Sequence, residues 1–393
     1  MFLNITHRRI PKRYDGRRVF VHEIYLAVRW SDLMRQIPIF IICLLTTLTG
    51  LSDESVFDTV TPIGANGLTS AEWIYPLEGR QTPQCHASTI ESTPTGLVAA
   101  WFGGTHEKNP DVGIWVSRKV SGKWTRPVEV VNGVESEEVR YPCWNPVLFQ
   151  LTDGPLVLFY KVGPTPHSWW GMQMTSKDGG RTWSKPIKLG EDKAIGHLIG
   201  PVKNPPIELA DGSLLCPSST EHNNWRVHFE RSPDGGKTWE VIGPIHDGEK
   251  YNAIQPSILR YEDGSMQVLC RTQESVLVQS WSRDGGKTWT KPEATSLPNP
   301  NAGTDATTLQ DGRQILIYNH TTRRAPFPGN RNMLNVAISR DGKNWKTVLT
   351  LERDKSEYSY PTVIQDDTGT IHVVYTWRRQ TVKHVEIDPK KMK

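Results

Sequence analysis

The chain has 393 residues, among them 15 Trp, 32 Gly and 28 Pro. That length suits one large closed all-β domain behind a leader, and the Trp, Gly and Pro usage suits short strands joined by tight turns. The net charge is +4, but the first 50 residues hold eight Arg or Lys against three Asp or Glu, so the rest is nearly neutral and no nucleic-acid partner is expected.

In the leader, residues 1–52, Met34-Arg35-Gln36 is followed by the apolar run Ile37 to Leu51 and then by Ser52, Asp53 and Glu54. This reads as a signal peptide over 34–52, because an apolar core of roughly 15 residues is short for a bilayer span of about 20. A periplasmic or secreted location follows, with a single N-terminal anchor as the alternative and no stable membrane span in the mature chain. Residues 53–70 read as a linker and 71–393 as the folded domain. Beyond Cys43 in the leader, Cys85, Cys143, Cys216 and Cys270 fall in predicted strands without CxxC pairing, so they read as buried free thiols.

Self-similarity is the strongest signal. Ser176-Lys-Asp-Gly-Gly-Arg-Thr-Trp183 returns as Ser232-Pro-Asp-Gly-Gly-Lys-Thr-Trp239 and Ser282-Arg-Asp-Gly-Gly-Lys-Thr-Trp289, with a shortened copy at 339–345 and a degenerate one at 117–124. Asp-Gly-Gly specifies a hairpin turn: the Asp accepts backbone N–H bonds, Gly takes positive φ, and the Trp packs back over the turn.

Between these turns a polar residue opens an apolar strand six times, at His86, Asn145, Asn204, Gln255, Asp305 and Tyr360. Each strand reaches a Gly-containing turn and a second apolar strand, the second strands ending at Thr105, Lys161, Glu221, Arg271, His320 and Arg378. Six units predict an all-β, six-bladed β-propeller whose inner strands line a central channel. The six polar residues then form a ring at one mouth, with the Asp-Gly-Gly hairpins on the opposite face. Only 382–387 remains for a third strand in the last blade, so residues 71–76 are expected to supply the fourth and close the ring.

The repeated octet resembles the Asp-box, or bacterial neuraminidase repeat, and its spacing of one per blade resembles the sialidase superfamily over roughly 84–379. That resemblance implies an acidic glycan as partner and a carboxylate gripped by arginines. Arg271 and Arg331 stand where the family keeps two of them, and guanidinium forks suit a carboxylate. Tyr360 or Tyr358 stands where the family keeps a nucleophilic tyrosine, and Asp111, with Glu107 in reserve, lies on the loop of the family's acid/base. Two positions depart. His86 replaces the family's first arginine, and Gln255 replaces the glutamate that deprotonates the tyrosine, a task an amide cannot perform.

Asp305 and Glu221 are alternative carboxylates for a two-carboxylate hydrolysis with Asp111. His86, His106 and His320 suggest a second chemistry, proton abstraction beside a uronate carboxylate. Asn145, Asn204, His320 and Arg378 complete the expected binding ring, with Trp144 and Trp377 as sugar-stacking aromatics. No phosphate loop, Ser-His-Asp order or zinc-ligand spacing appears, so no cofactor is expected. The resulting expectation is a glycoside hydrolase acting on a terminal acidic sugar, with a polysaccharide lyase or a non-catalytic carbohydrate-binding propeller as alternatives.

Overall fold

The computed structural model describes residues 7–14, 17–24 and 55–393; the expected signal core at 37–51 lies outside the described residues. His7–Tyr14 and Arg17–Ile24 pair as an antiparallel hairpin, a unit described here by itself. No helix among the described residues is long and apolar enough to cross a membrane.

From residue 55 onward the chain is a six-bladed β-propeller. The inner strands are Gln84–Thr93, Cys143–Gln150, Ile207–Glu208, Ala253–Arg260, Asp305–Thr308 and Tyr358–Gln365, and each is followed outward by antiparallel neighbours in chain order. Their middles are Val, Ile, Leu and Ala that pack between blades, which is why they read as continuous apolar runs. The four cysteines after the leader are free and buried in these layers.

The sixth blade is closed by Leu68–Trp73, which pairs antiparallel with Thr381–Ile387. The closing strand thus starts three residues upstream of the expected 71–76, inside the segment read as linker.

Each Asp-box is a local hydrogen-bond knot. Asp178 Oδ1 accepts from Ser176 Oγ at 2.8 Å and from Thr182 N at 2.8 Å, and its Oδ2 accepts from Thr182 Oγ1 at 2.6 Å. Asp234 and Asp284 repeat the pattern. Concentrated donors favour the ionised carboxylate, so Asp234 and Asp284 are both held down to about 2.

The inner strands share a second device. Ala87, Asn145, Gln255 and Tyr360 have φ between +41° and +57°, and in all four blades the inner strand's register slips at that point. Lys203 has the same left-handed backbone, φ +76°, at the entrance to blade 3. These are β-bulges, which bend the strand and re-aim one side chain. Left-handed backbone is costly for a residue as large as tyrosine and concentrates at functional sites.

Candidate functional site: an arginine cluster around Tyr360

The bulges correct the predicted ring by one residue in two blades. In blade 1 the left-handed residue is Ala87 rather than His86, and at blade 3 it is Lys203 rather than Asn204. Asn204 is fully buried and its Nδ2 donates to Gln255 O, Pro256 O and Ser257 Oγ, so it ties blade 3 to blade 4 instead of facing the mouth. Asp305 is likewise buried, with Oδ1 taken by Ser257 Oγ and Ala306 N and Oδ2 by Val363 N. Lys203 Nζ donates to Asn204 Oδ1 at 2.7 Å, Thr304 O at 2.6 Å and Pro361 O. These residues tie neighbouring blades together, and three of the Asp305 acceptor sites are taken within the protein.

Tyr360 meets two guanidiniums, those of Arg271 and Arg331, and a third, that of Arg379, is linked to it through Glu357 and His86. Arg271 donates from Nη1 to the Tyr360 hydroxyl at 2.5 Å and to Gln255 Oε1 at 3.1 Å, and from Nε to Asn301 Oδ1 at 2.8 Å. Arg331 lies 5.4 Å from the Tyr360 ring centre and bonds Glu357 Oε1 and Asn301 O, both at 3.1 Å. Arg379, absent from the sequence expectation, donates from Nε to Glu357 Oε2 at 2.9 Å and from Nη1 to Glu107 Oε2 at 2.7 Å, and its Nη2 lies 3.4 Å from His86 Nε2. Glu357 therefore spans Arg331 and Arg379. Burial alone would raise its carboxyl, yet His86, Arg331 and Arg379 outweigh burial and hold it well below the usual carboxylate range.

A tight hairpin explains why Arg379, not Arg378, serves this cluster. Both residues take φ +55° in the turn between Trp377 and Thr381. Arg378 is sent outward, with its guanidinium 4.2 Å from the Trp377 ring centre and bonded to Asp354 and Tyr358 Oη. Tyr358 turns the same way, buried between blades with its ring 6.2 Å from Trp377. Of the two tyrosines only Tyr360 meets Arg271 and Arg331.

The histidines do not gather. His86 packs tilted against Tyr360, ring centres 4.2 Å apart, and bonds Thr376 Oγ1 through Nδ1, and burial, followed by Arg379, depresses its pKa well below 6.5. His106 is exposed with Nδ1 on Glu107 O, and His320 bonds Tyr318 Oη and packs tilted against Phe57. Trp144 is core, its indole N–H on Gly163 O; Trp225, 5.2 Å from the Arg271 guanidinium, is the aromatic at the site.

Two of the expected carboxylates differ in their surroundings. Asp111 is folded onto its own loop, both oxygens accepting from Thr105 N and Oδ2 also from Thr105 Oγ1 at 2.5 Å. Glu221 is half-buried and feels Arg271, His167, Glu107 and Lys108; burial raises its carboxyl above the ordinary range against the pull of Arg271. Asn145 is buried at the blade 2 bulge.

Residues 95–373 match the BNR repeat-like domain family. The chain belongs to that family. This BNR repeat-like protein is 26% identical to a sialidase of Bacteroides fragilis, a match covering 58% of the chain and 44% of that protein. The chain thus spans under half the length of the curated relatives it matches. A Dyadobacter fermentans structure of unknown function superposes with TM-score 0.67 at 19% identity over 82% of this chain and 98% of that one. The Hadza microbial sialidase Hz136 gives 0.68 at 17% identity over 82% and 69%. The family match and the sialidase relatives support a sialidase-like superfamily member, and the structural likenesses show the propeller fold.

Two small residues in this BNR repeat-like propeller complete the site without any sequence signal of their own. Asn301, at φ +61°, is bonded by Arg271 at its side chain and by Arg331 at its carbonyl, so one residue spaces two guanidiniums. Gly303 lies flat under Tyr360: a Cβ there would stand 3.3 Å from the ring and 3.2 Å from Gln255 Oε1.

Proposed function

We propose that the protein hydrolyses the glycosidic bond of a terminal acidic sugar, with the sugar carboxylate held by Arg271, Arg331 and Arg379. The observation that carries this reading is Arg271 on the Tyr360 hydroxyl and Arg331 against its ring, with Arg379 joined to Arg331 through Glu357 and reaching His86, which stands where the family resemblance expects an arginine. In this reading Tyr360 Oη faces the anomeric carbon, where it attacks or stabilises positive charge, and the Arg271 guanidinium supplies charge beside the phenol oxygen. Glu221, whose raised carboxyl keeps its proton to higher pH than an ordinary glutamate, donates that proton to the leaving oxygen. Asp111 shapes the loop that carries Glu107. A panel of acidic oligosaccharides, followed by reducing-end release, tests it: release that disappears in Arg379→Ala and Tyr360→Phe is expected, and release unaffected by both would sink it.

One observation favours a second reading, a carbohydrate-binding propeller without turnover. Gln255 Oε1 is taken by Arg271, and among the described residues no carboxylate bonds the Tyr360 hydroxyl. Acidic-sugar binding that survives in wild type without any product would decide for binding. The lyase reading loses its motivation, because His106 and His320 do not join His86 at Tyr360.

A further inference from the structure

At the seam where the last blade meets the first, four side chains lie on one face of three adjacent strands. His372 stands opposite Glu386, and His384 stands opposite Glu72 of the closing strand. His372 Nδ1 and His384 Nε2 face each other at 3.1 Å, and a Glu386 oxygen lies within 4.8 Å of both. The outer nitrogen of each ring meets a carboxylate: His372 Nε2 is 3.1 Å from Asp366 Oδ2, and His384 Nδ1 is 3.3 Å from Glu72 Oε1. An ionised carboxylate can only accept, so each outer nitrogen carries the hydrogen and each inner nitrogen presents a lone pair. Two lone pairs pointed at one another at this distance repel unless a proton or a metal ion stands between them.

Charge makes the same demand. The carboxylates of Asp366, Glu72 and Glu386 face a single ammonium, Lys119 Nζ, which is 2.9 Å from Glu72 and 2.8 Å from Glu386. Two negative charges are left unmatched, the charge of one divalent ion. Carboxylates behind ligating histidines fix ring tautomer and orientation in metal sites, and zinc–nitrogen bonds of roughly 2.0–2.1 Å at a tetrahedral angle set two ligating nitrogens about 3.3 Å apart. The histidines are buried, while Glu72 keeps 40% side-chain exposure and leaves a way in from solvent.

We propose that His372 Nδ1, His384 Nε2 and a Glu386 oxygen bind a divalent transition-metal ion of the zinc type, oriented by Asp366 and Glu72. Because Glu72 belongs to the strand that closes the ring, the ion fastens the closure and is structural. It lies outside the Tyr360 cluster and does not depend on the activity proposed there.

The test uses the full chain stripped with chelator. Zinc uptake in equilibrium dialysis is expected at one ion per chain, with Tm rising as zinc is added, and cobalt is expected to give the visible absorption of a four-coordinate site made of the three side chains and one water. His372→Gln and His384→Gln should abolish all three signals. If either fails to fold, Asp366→Asn serves instead, with affinity expected to fall roughly 10–100-fold and an unchanged circular dichroism spectrum. Absence of uptake in the wild-type chain overturns the proposal, as does uptake that persists undiminished in these variants.

Discussion

Arg271 donates to the hydroxyl of Tyr360 at 2.5 Å, and the tyrosine that receives this bond is held in a left-handed backbone conformation at φ +53°. The inner-strand bulge turns the phenol toward the channel mouth, where a second guanidinium, that of Arg331, lies against its ring. Removing only the oxygen leaves the ring packing in place. Tyr360→Phe is therefore expected to retain acidic-sugar binding by calorimetry while losing turnover by on the order of 10²-fold or more. Equal loss of binding and turnover would assign the oxygen to ground-state recognition alone.

Glu357 couples Arg331 to Arg379, since one oxygen bonds each. Arg379→Ala and Glu357→Gln should each weaken acidic-sugar binding by roughly 2 kcal/mol or more. The double variant should be less than additive, with a coupling of about 0.5–3 kcal/mol in a double-mutant cycle. Strict additivity would show that Glu357 does not position Arg379.

The raised carboxyl of Glu221 fixes the sign of a pH effect. As a general acid it works while protonated, so kcat should fall as pH rises through its raised value, and Glu221→Gln should remove that alkaline limb with a loss on the order of 10²-fold. Asp111→Asn should leave the limb in place. A limb that vanishes in Asp111→Asn and survives in Glu221→Gln would reverse the two assignments.

Gly303 leaves little room for a side chain below Tyr360. The contact for an added methyl, 3.2 to 3.3 Å, is tight rather than impossible, so Gly303→Ala should fold, lose no more than about 1–3 kcal/mol in denaturant unfolding, and lower kcat through displacement of the ring. Unaltered kinetics would mean that the ring yields without consequence.

Ring closure depends on Leu68–Trp73, the strand paired with Thr381–Ile387. Deleting 68–73 strips the last blade of its outer strand and exposes a pairing edge, so loss of the single cooperative unfolding transition and a tendency to aggregate are expected. A truncated chain that still melts in one sharp transition would show that the ring holds without the closing strand.

Much of this was legible in the residues. Three near-identical Asp-Gly-Gly octets and six polar-then-apolar strand starts specify six blades, because turn chemistry and strand burial act over a few residues and leave a periodic mark. Arg271 and Arg331 are marked by the resemblance to sialidases, which leaves Tyr358 and Tyr360 open as the tyrosine, and only the fold separates those two. Arg378 and Arg379 differ by one residue, and no local rule says which of two successive left-handed residues in a hairpin points at the channel. Asn204 and Asp305 read as ring residues because polarity at a strand start looks alike whether it faces a ligand or another blade.

The sequence by itself determined the blade count and the turn chemistry, and its resemblance to sialidases marked Arg271, Arg331 and a pair of candidate tyrosines. Only the tertiary structure decided which side chains meet. Glu107, Glu357 and Arg379 come from separate turns, and His372 and His384 are brought together by strand register while Glu72 arrives from the opposite end of the domain. Such encounters depend on closing a ring from both ends of the chain, and sequence spacing carries no record of that distance.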